Sequence, residues 1–398
     1  MRVKRRGLTA CSRLADDKRN AMTIPEYFPL VDVSGTPYVR GVQHGRAVPD
    51  RVAGGVALYR AQLGRRGLDG ATIRQLAQSM LPVIEAYDAT YLEEMRGIAE
   101  GAGVSLEDVV MINCRTEMLF GYADMKQAAT LPADPASNED GDCTGLVVLP
   151  ARSATGRLMH AHNWDWRQEC VDTGIVLRIR SESGPDMLTF TEAGALARHG
   201  FNSNGVSLTG NSLTCDEDFR KGPGVPLVLL RRRVLEAANL AQAMKTIWAS
   251  KRYCANNMIL AQSTGNDGSG ISLETSPGEI FWTLPENDLL VHANHWMSPS
   301  AVVKLRDPGL PQRPDSIYRQ HRVENALGRI EGRIDWTHVK AALADEFGKP
   351  DGVLRTPKPA DFSSISATVA TTLMDAAARV MWVARKPYEA RNFQEYAL

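Results

Sequence analysis

No two cysteines of this chain stand in a Cys-x-x-Cys arrangement, and the six present, Cys11, Cys114, Cys143, Cys170, Cys215 and Cys254, follow no regular spacing. That excludes a disulfide framework and a structural zinc site, and reads as reduced thiols in a cytoplasmic protein. Net charge is missing as well: 46 basic and 46 acidic residues cancel to a formal charge of zero. The basic residues form no patch with interleaved aromatics, so nothing asks for nucleic acid, an anionic membrane or a polyanionic substrate. No stretch is long and apolar enough to span a bilayer. There are no internal repeats and no low-complexity tract. Gly41 and Gly45 are spaced like part of a phosphate loop, but no Lys-Ser or Lys-Thr follows, which excludes nucleotide binding there.

The N-terminus lacks a secretion signal. Met1 to Arg6 is basic and Leu8-Thr9-Ala10-Cys11 superficially resembles a lipoprotein cleavage box, yet no apolar run lies between them. Charges continue through Asp16, Asp17, Lys18 and Arg19. Residues 1–24 therefore read as a disordered leader, or translation begins at Met22.

What is there is a 398-residue chain, long enough to bury a large core, in two compositional halves. From Pro37 to about Met125 the signals are helical. Residues 60–87 read as helix broken by Gly67, Gly70 and Pro82. Leu92, Met95, Ile98 and Ala99 recur at helical spacing before the stop signals Gly101 and Gly103. Ser105, with Asp108 three residues on, predicts a helix start. Residues 126–141 are rich in Ala, Pro, Asp, Asn and Ser, and read as an exposed linker. After Cys143 short apolar runs separated by turns predict strands at 144–149, 157–162, 175–180, 187–190, 206–209, 258–262, 271–274, 280–284, 289–292, 367–373 and 379–384. Helices are predicted at 227–238, 240–248, 316–327 and 336–346, and Arg231-Arg232-Arg233 reads as a solvated helix face. Many strands with helices grouped outside them predict an α+β layered sandwich.

Asp142-Cys143-Thr144-Gly145 falls where the linker meets the first strand, a cleavable position by exposure. Cleavage of the Asp142–Cys143 bond would give Cys143 a free α-amino group, whose ordinary pKa is about 8. That amine accepts the thiol proton and later returns it to a leaving group, so one residue supplies nucleophile and base. Turn residues 153–156 predict a hairpin that brings Asp165 back beside Cys143 and Thr144, within a residue or two of register. A carboxylate there would hold and orient the ammonium group. Taken singly, each feature has a bland reading: a buried small thiol, or a capped turn over a core tryptophan.

In series they resemble a known family. Asp142-Cys143-Thr144 followed by His162-Asn163-Trp164-Asp165 is similar to the signature of the acyl-coenzyme A:isopenicillin N acyltransferase family, one of the N-terminal-nucleophile (Ntn) hydrolases and related to the choloylglycine hydrolases. The segments 35–45, Thr191-Glu192-Ala193-Gly194, 200–206 and His292-Ala293-Asn294-His295 resemble further motifs of that family in order, so the likeness runs from about Val31 to Pro387.

The resemblance implies a four-layer αββα sandwich made as an inactive precursor. Residues 25–142 would become a mostly helical α chain and 143–398 a strand-rich β chain, the two staying together as a heterodimer within one joint domain. It makes Cys143 the nucleophile, Asp142 and Cys143 the self-cleavage site, Asp165 the partner of the new amine, and Asn294 the oxyanion donor. Relatives carry Gln or Arg at the position of His162 and these line the active site, which implies a substrate-binding or acid–base role for His162. Asn211 matches a family Asn that implies a substrate contact; a turn-forming Asn is the other reading. The chain departs from the family in having Asp142 where glycine is usual, and in lacking an arginine in Ser364-Ile365-Ser366-Ala367-Thr368.

Three functions remain open. An amidohydrolase lets water resolve the acyl-enzyme; an N-acyltransferase lets a small amine do so, with a coenzyme A thioester as acyl donor; an uncleaved, non-catalytic binding protein keeps the fold alone. The chemistry needs no metal and no other cofactor. His160, His162, His292 and His295 suggest a metal site only weakly, because no acidic or cysteine ligand stands at a familiar spacing; His292 and His295 read either as orienting the Asn294 loop or as purely structural.

Overall fold

The computed structural model describes residues 26–125, 141–360 and 364–398. The expected leader, and all of the expected linker but Gly141, lie outside the described residues. The first half holds β1 (Leu30–Ser34), α1 (Pro37–Ala47), α2 (Pro49–Arg65), α3 (Gly70–Ala102), α4 (Leu106–Asn113) and α5 (Arg115–Met125). Three of these helices begin where side-chain caps satisfy free N–H groups: Thr36 accepts from Val39, Asp69 from Thr72, and Ser105 forms a reciprocal capping box with Asp108. Gly103, at φ +68°, closes α3 as its stop signal predicts. Pro82 does not break that helix. The backbone departs from helix only at Asp88, whose carboxylate accepts the Thr90 N–H at 2.8 Å and restarts the next turn. Buried Ala77, Met80 and Ile84 hold the turns around Pro82 against the core, and that packing outweighs one lost hydrogen bond.

The second half carries β2 (Cys143–Val148), β3 (Met159–Arg167), β4 (Gly174–Arg180), β5 (Met187–Glu192), β6 (His199–Asn202), β7 (Val206–Ser212), β8 (Asn256–Thr264), β9 (Asp267–Thr275), β10 (Ile280–Thr283) and β11 (Leu289–His292). It ends with β12 (Lys358–Ala360), β13 (Ser364–Asp375), β14 (Val380–Arg385) and β15 (Phe393–Ala397). Its helices are α6 (Leu227–Leu235), α7 (Leu240–Ala249), α8 (Pro299–Lys304), α9 (Asp315–Gly328) and α10 (Trp336–Leu343). One sheet runs β1-β4-β5-β6-β7-β8-β9-β10; the other runs β11-β2-β3-β13-β14-β15, with β12 beside β13. β2 and β3 of the second sheet face β7 and β8 of the first. α6 and α7 cover the outside of the first sheet, and α9 and α10 the outside of the second. This is the helix–sheet–sheet–helix sandwich that the motifs imply. β1 was not legible in the helical half. It pairs in parallel with β4, so residues before and after Cys143 share one sheet.

The Gly41 and Gly45 spacing finds its reason where α1 crosses α3. A Cβ on Gly41 would lie 2.1 Å from the Glu94 carbonyl oxygen, and one on Gly97 would lie 2.1 Å from that of Tyr38. Gly45 and Gly101 repeat the contact one turn on, so the two backbones touch without side chains between them. Gly97→Ala is expected to lower stability by about 3 kcal/mol through overpacking of rigid backbone. The shift of the urea unfolding midpoint measures it; an unchanged midpoint would mean that the helices can part freely.

Candidate active site

Cys143 is the first residue of β2, the strand flanked by β11 and β3 in the second sheet. Its register partner is Trp164 on β3, and the Asp165 N–H donates to the Asp142 carbonyl at 3.0 Å. The hairpin thus brings Asp165 to the bond before Cys143, in the register that its spacing predicts. Paired residues share a face and neighbours alternate. The Cys143 side chain therefore points with that of Trp164 toward the first sheet, and Asp165 points to the other face.

On the thiol side lies a cavity of about 60 Å³, lined among others by Arg115, Phe120, Cys143, Trp166, Arg198 and Arg231. The Arg198 guanidinium stacks on the Trp164 indole, 4.0 Å from its centre, with Nη2 3.9 Å from Cys143 Sγ. Burial pushes the Cys143 thiol up to about 11, against the pull of Arg198. The expectation of a solvated arginine run on α6 fails: Arg231 and Arg232 are buried, because α6 packs between the first sheet and α4. Arg232 is compensated by Glu94 at 3.0 Å and Glu236 at 2.8 Å.

On the opposite face lies a cluster of charges. Asp142 contacts Arg355 at 2.6 Å and Arg319 at 3.3 Å. Burial alone would raise its carboxyl; Arg355 and Arg319 outweigh that and hold it below the usual range. Asp165 goes the other way. Burial raises it to about 6, although Arg355, Arg319 and a hydrogen bond from Thr368 Oγ1 at 2.6 Å oppose the shift. Arg319 ties the region together, donating to the Cys143 carbonyl at 2.9 Å, Thr144 Oγ1 at 3.0 Å and Asn294 Oδ1 at 3.0 Å.

Asn294 meets Cys143 directly. Its Oδ1 accepts the Cys143 N–H at 2.7 Å, while Nδ2 donates to the carbonyls of Ser212 at 2.9 Å and Gly141 at 3.2 Å. The Asn294 loop is held by its histidines: Ser316 Oγ bonds the Asn294 N–H and His295 Nδ1, while His292 bonds Glu274, which accepts the N–H groups of Met297 and Ser298.

The expected cleavage position is not exposed. Asp142 is 3% and Cys143 2% accessible, so the polar composition of 126–141 misleads about the residues that follow it and the argument from exposure falls. The bond lies against the charge cluster and in reach of the chain's own groups. His162 and Asn211 do not border the thiol cavity. They bond each other at 3.0 Å between the sheets, and Asn211 Nδ2 continues to the His292 carbonyl at 2.8 Å. His160 bonds Ser207 at 2.8 Å and Thr209 at 2.9 Å in the same layer. Burial depresses His162 well below an ordinary histidine and takes His160 to about 3, so both stay neutral. Among the described residues no group of three or more His, Cys, Asp or Glu is placed to hold a metal.

Arg319, Arg355, Arg198 and Arg231 were missed by sequence reasoning. One signal was in view: no arginine stands in 364–368, but Arg355 lies beside that strand, its N–H on Thr368 Oγ1 at 2.8 Å.

The sequence profile described as acyl-coenzyme A:6-aminopenicillanic acid acyl-transferase matches residues 152–386. The chain is 28% identical over 337 residues to the acyl-coenzyme A:6-aminopenicillanic-acid-acyltransferase 40 kDa form of Emericella nidulans, covering 82% of this chain and 85% of that protein. Among solved structures it is similar to a mutant of conjugated bile acid hydrolase from Clostridium perfringens, with a TM-score of 0.42 and 11% identity over 64% of this chain and 92% of that one. It is likewise similar to penicillin V acylase from Agrobacterium tumefaciens, with a TM-score of 0.38 and 12% identity over 64% of this chain and 84% of that one. With more than half of its length matched, the chain belongs to the acyl-coenzyme A:6-aminopenicillanic acid acyl-transferase family.

Proposed function

We propose that this chain cuts itself between Asp142 and Cys143 and then works as an amidohydrolase through an acyl-Cys143 thioester. The observation that carries the reading is the position of Cys143: thiol on a cavity, backbone nitrogen on Asn294, preceding carbonyl on the Asp165 N–H. In maturation Cys143 Sγ bonds to the Asp142 carbonyl carbon and the C–N bond breaks. The nitrogen leaves as the Cys143 amine, and water then hydrolyses the thioester. The Asp142 carbonyl is already held by the Asp165 N–H, and its buried carboxylate between Arg319 and Arg355 anchors the chain for attack.

In turnover the amine takes the thiol proton, the thiolate adds to the substrate carbonyl, and the amine returns the proton to the leaving nitrogen. Asp165, on the far face of the strand, acts on the amine and not on sulfur. Loss of the Gly141 carbonyl on cleavage frees Asn294 Nδ2 to face the substrate oxyanion. A second reading is favoured by the name of the Emericella relative: an amine resolves the thioester, and a coenzyme A thioester is a substrate that loads it. Product analysis with and without an added amine separates the two. The five cysteines among the described residues are free and buried, which supports a reducing compartment such as the cytoplasm.

Maturation should depend steeply on pH. A thiol near 11 is almost wholly protonated at neutrality, so its thiolate grows tenfold per pH unit below that value. Precursor refolded from urea is expected to cleave about a hundredfold faster at pH 9 than at pH 7. A gel time course measures this, and a flat profile would remove the thiolate as the attacking species.

A further inference from the structure

Among the described residues, two of the arginines on the thiol cavity have no carboxylate at ion-pair distance. Three arginines line it: Arg115, Arg198 and Arg231. Arg115 is paired with Glu192 at 2.9 Å. Arg198 and Arg231 are 8% and 5% accessible, and among the described residues neither forms an ion pair. Arg198 has the Trp164 face and the Cys143 sulfur, and its Nε has no hydrogen-bond partner. Arg231 has a long bond from Nη2 to Asn256 Oδ1 at 3.3 Å, and its Nε is likewise unpartnered. Its guanidinium packs over Gly210, where a Cβ would come within 2.7 Å of Nη2. Among the described residues the one carboxylate bordering the cavity, Asp218, is occupied by the N–H groups of Cys215 at 2.9 Å and Ala255 at 2.6 Å, and burial takes it to about 7.

A buried cation without a counter-charge is costly, and two side by side cost more. Burial depresses both, with Arg115 adding to it at Arg198 and Arg198 at Arg231, to about 10 for Arg198 and about 9 for Arg231, which still leaves them charged at neutral pH. A planar fork of N–H donors matches a carboxylate. Resting on the reading of Cys143 as nucleophile, we propose that Arg198 and Arg231 form a subsite for a substrate carboxylate, so that the substrate is an amide carrying a carboxylate within a few bonds of its scissile carbonyl. The nearness of Arg198 to Sγ sets that short reach. The carboxylate can stand on the amine half, as in an N-acyl amino acid, or on the acyl half, as in a dicarboxylic acid monoamide.

The test uses two alkylating reagents of like size. In both, a bond forms from Cys143 Sγ to carbon and iodide leaves; iodoacetate carries a carboxylate and iodoacetamide does not. Labelling of the Cys143 peptide, followed by mass spectrometry in the whole protein, is expected to favour iodoacetate by about tenfold. Arg231→Gln should erase that preference and Arg231→Lys should restore part of it. With amide pairs, the carboxylate substrate should lose at least tenfold more kcat/KM in Arg231→Gln than its neutral isostere, and the two carboxylate placements then tell which half bears the charge. If Arg231→Gln does not fold, phenylacetate and not phenylacetamide should protect wild-type Cys143 from iodoacetamide. Faster labelling by iodoacetamide with an unchanged ratio in Arg231→Gln, or equal protection by the two ligands, overturns the subsite. Intact mass reports separately whether the chain is cut before Cys143, so a failed maturation reading leaves the labelling ratio readable.

Discussion

Cys143→Ala should run on a denaturing gel as one chain of 43.6 kDa, while the wild type separates into a smaller chain ending at Asp142 and a larger one beginning at Cys143. Amide turnover should fall by about 10⁴-fold or more, the scale on which a nucleophile that acts as a unit with its base is lost. The fold should survive, because among the described residues the only polar contact of Sγ is the long approach of Arg198 at 3.9 Å and the small void left is easily borne. Intact mass spectrometry is the decisive readout. Cleavage of the alanine chain at the same bond would move the attacking group elsewhere, and an active, unbroken wild type would remove the free amine from the mechanism.

Much of this frame can be read from the chain before any coordinates. Strands of four to nine residues bounded by turns are visible as apolar runs, and the turn at 153–156 carries the hairpin that sets Cys143 against Trp164. Local chemistry is legible because it depends on neighbours in sequence: Ser105 caps α4, and Gly103 stops α3. Long-range charge is not. Arg319 reaches the Cys143 carbonyl from 176 residues away, and nothing near either residue announces the meeting. Burial also overrides composition. Arg231-Arg232-Arg233 reads as surface but its first two residues are interior, because α6 packs between the first sheet and α4. His162 and Asn211 were singled out by their places in motifs. The structure brings them together between the sheets and away from the cavity lining, where their bond to each other satisfies two buried polar groups.

Asn294→Ala should lower kcat by about 10²–10³, or roughly 3–4 kcal/mol of transition-state stabilisation, with a much smaller change in KM. The geometry separates two roles that an alanine cannot. Oδ1 accepts from the Cys143 N–H and from Arg319; Nδ2 donates to Gly141 and Ser212. Asn294→Asp keeps the first set, since a carboxylate oxygen accepts from the same groups, and even strengthens the contact with Arg319. It removes the donor and sets a negative charge where the oxyanion must form. If Asn294 served only to hold the amine and the loop, the aspartate variant would keep most of its activity while alanine would not. Because the proposed cleavage would release Nδ2 from Gly141 toward the substrate, both variants should be crippled in steady-state kinetics, the aspartate variant more so as rising pH keeps its carboxylate charged.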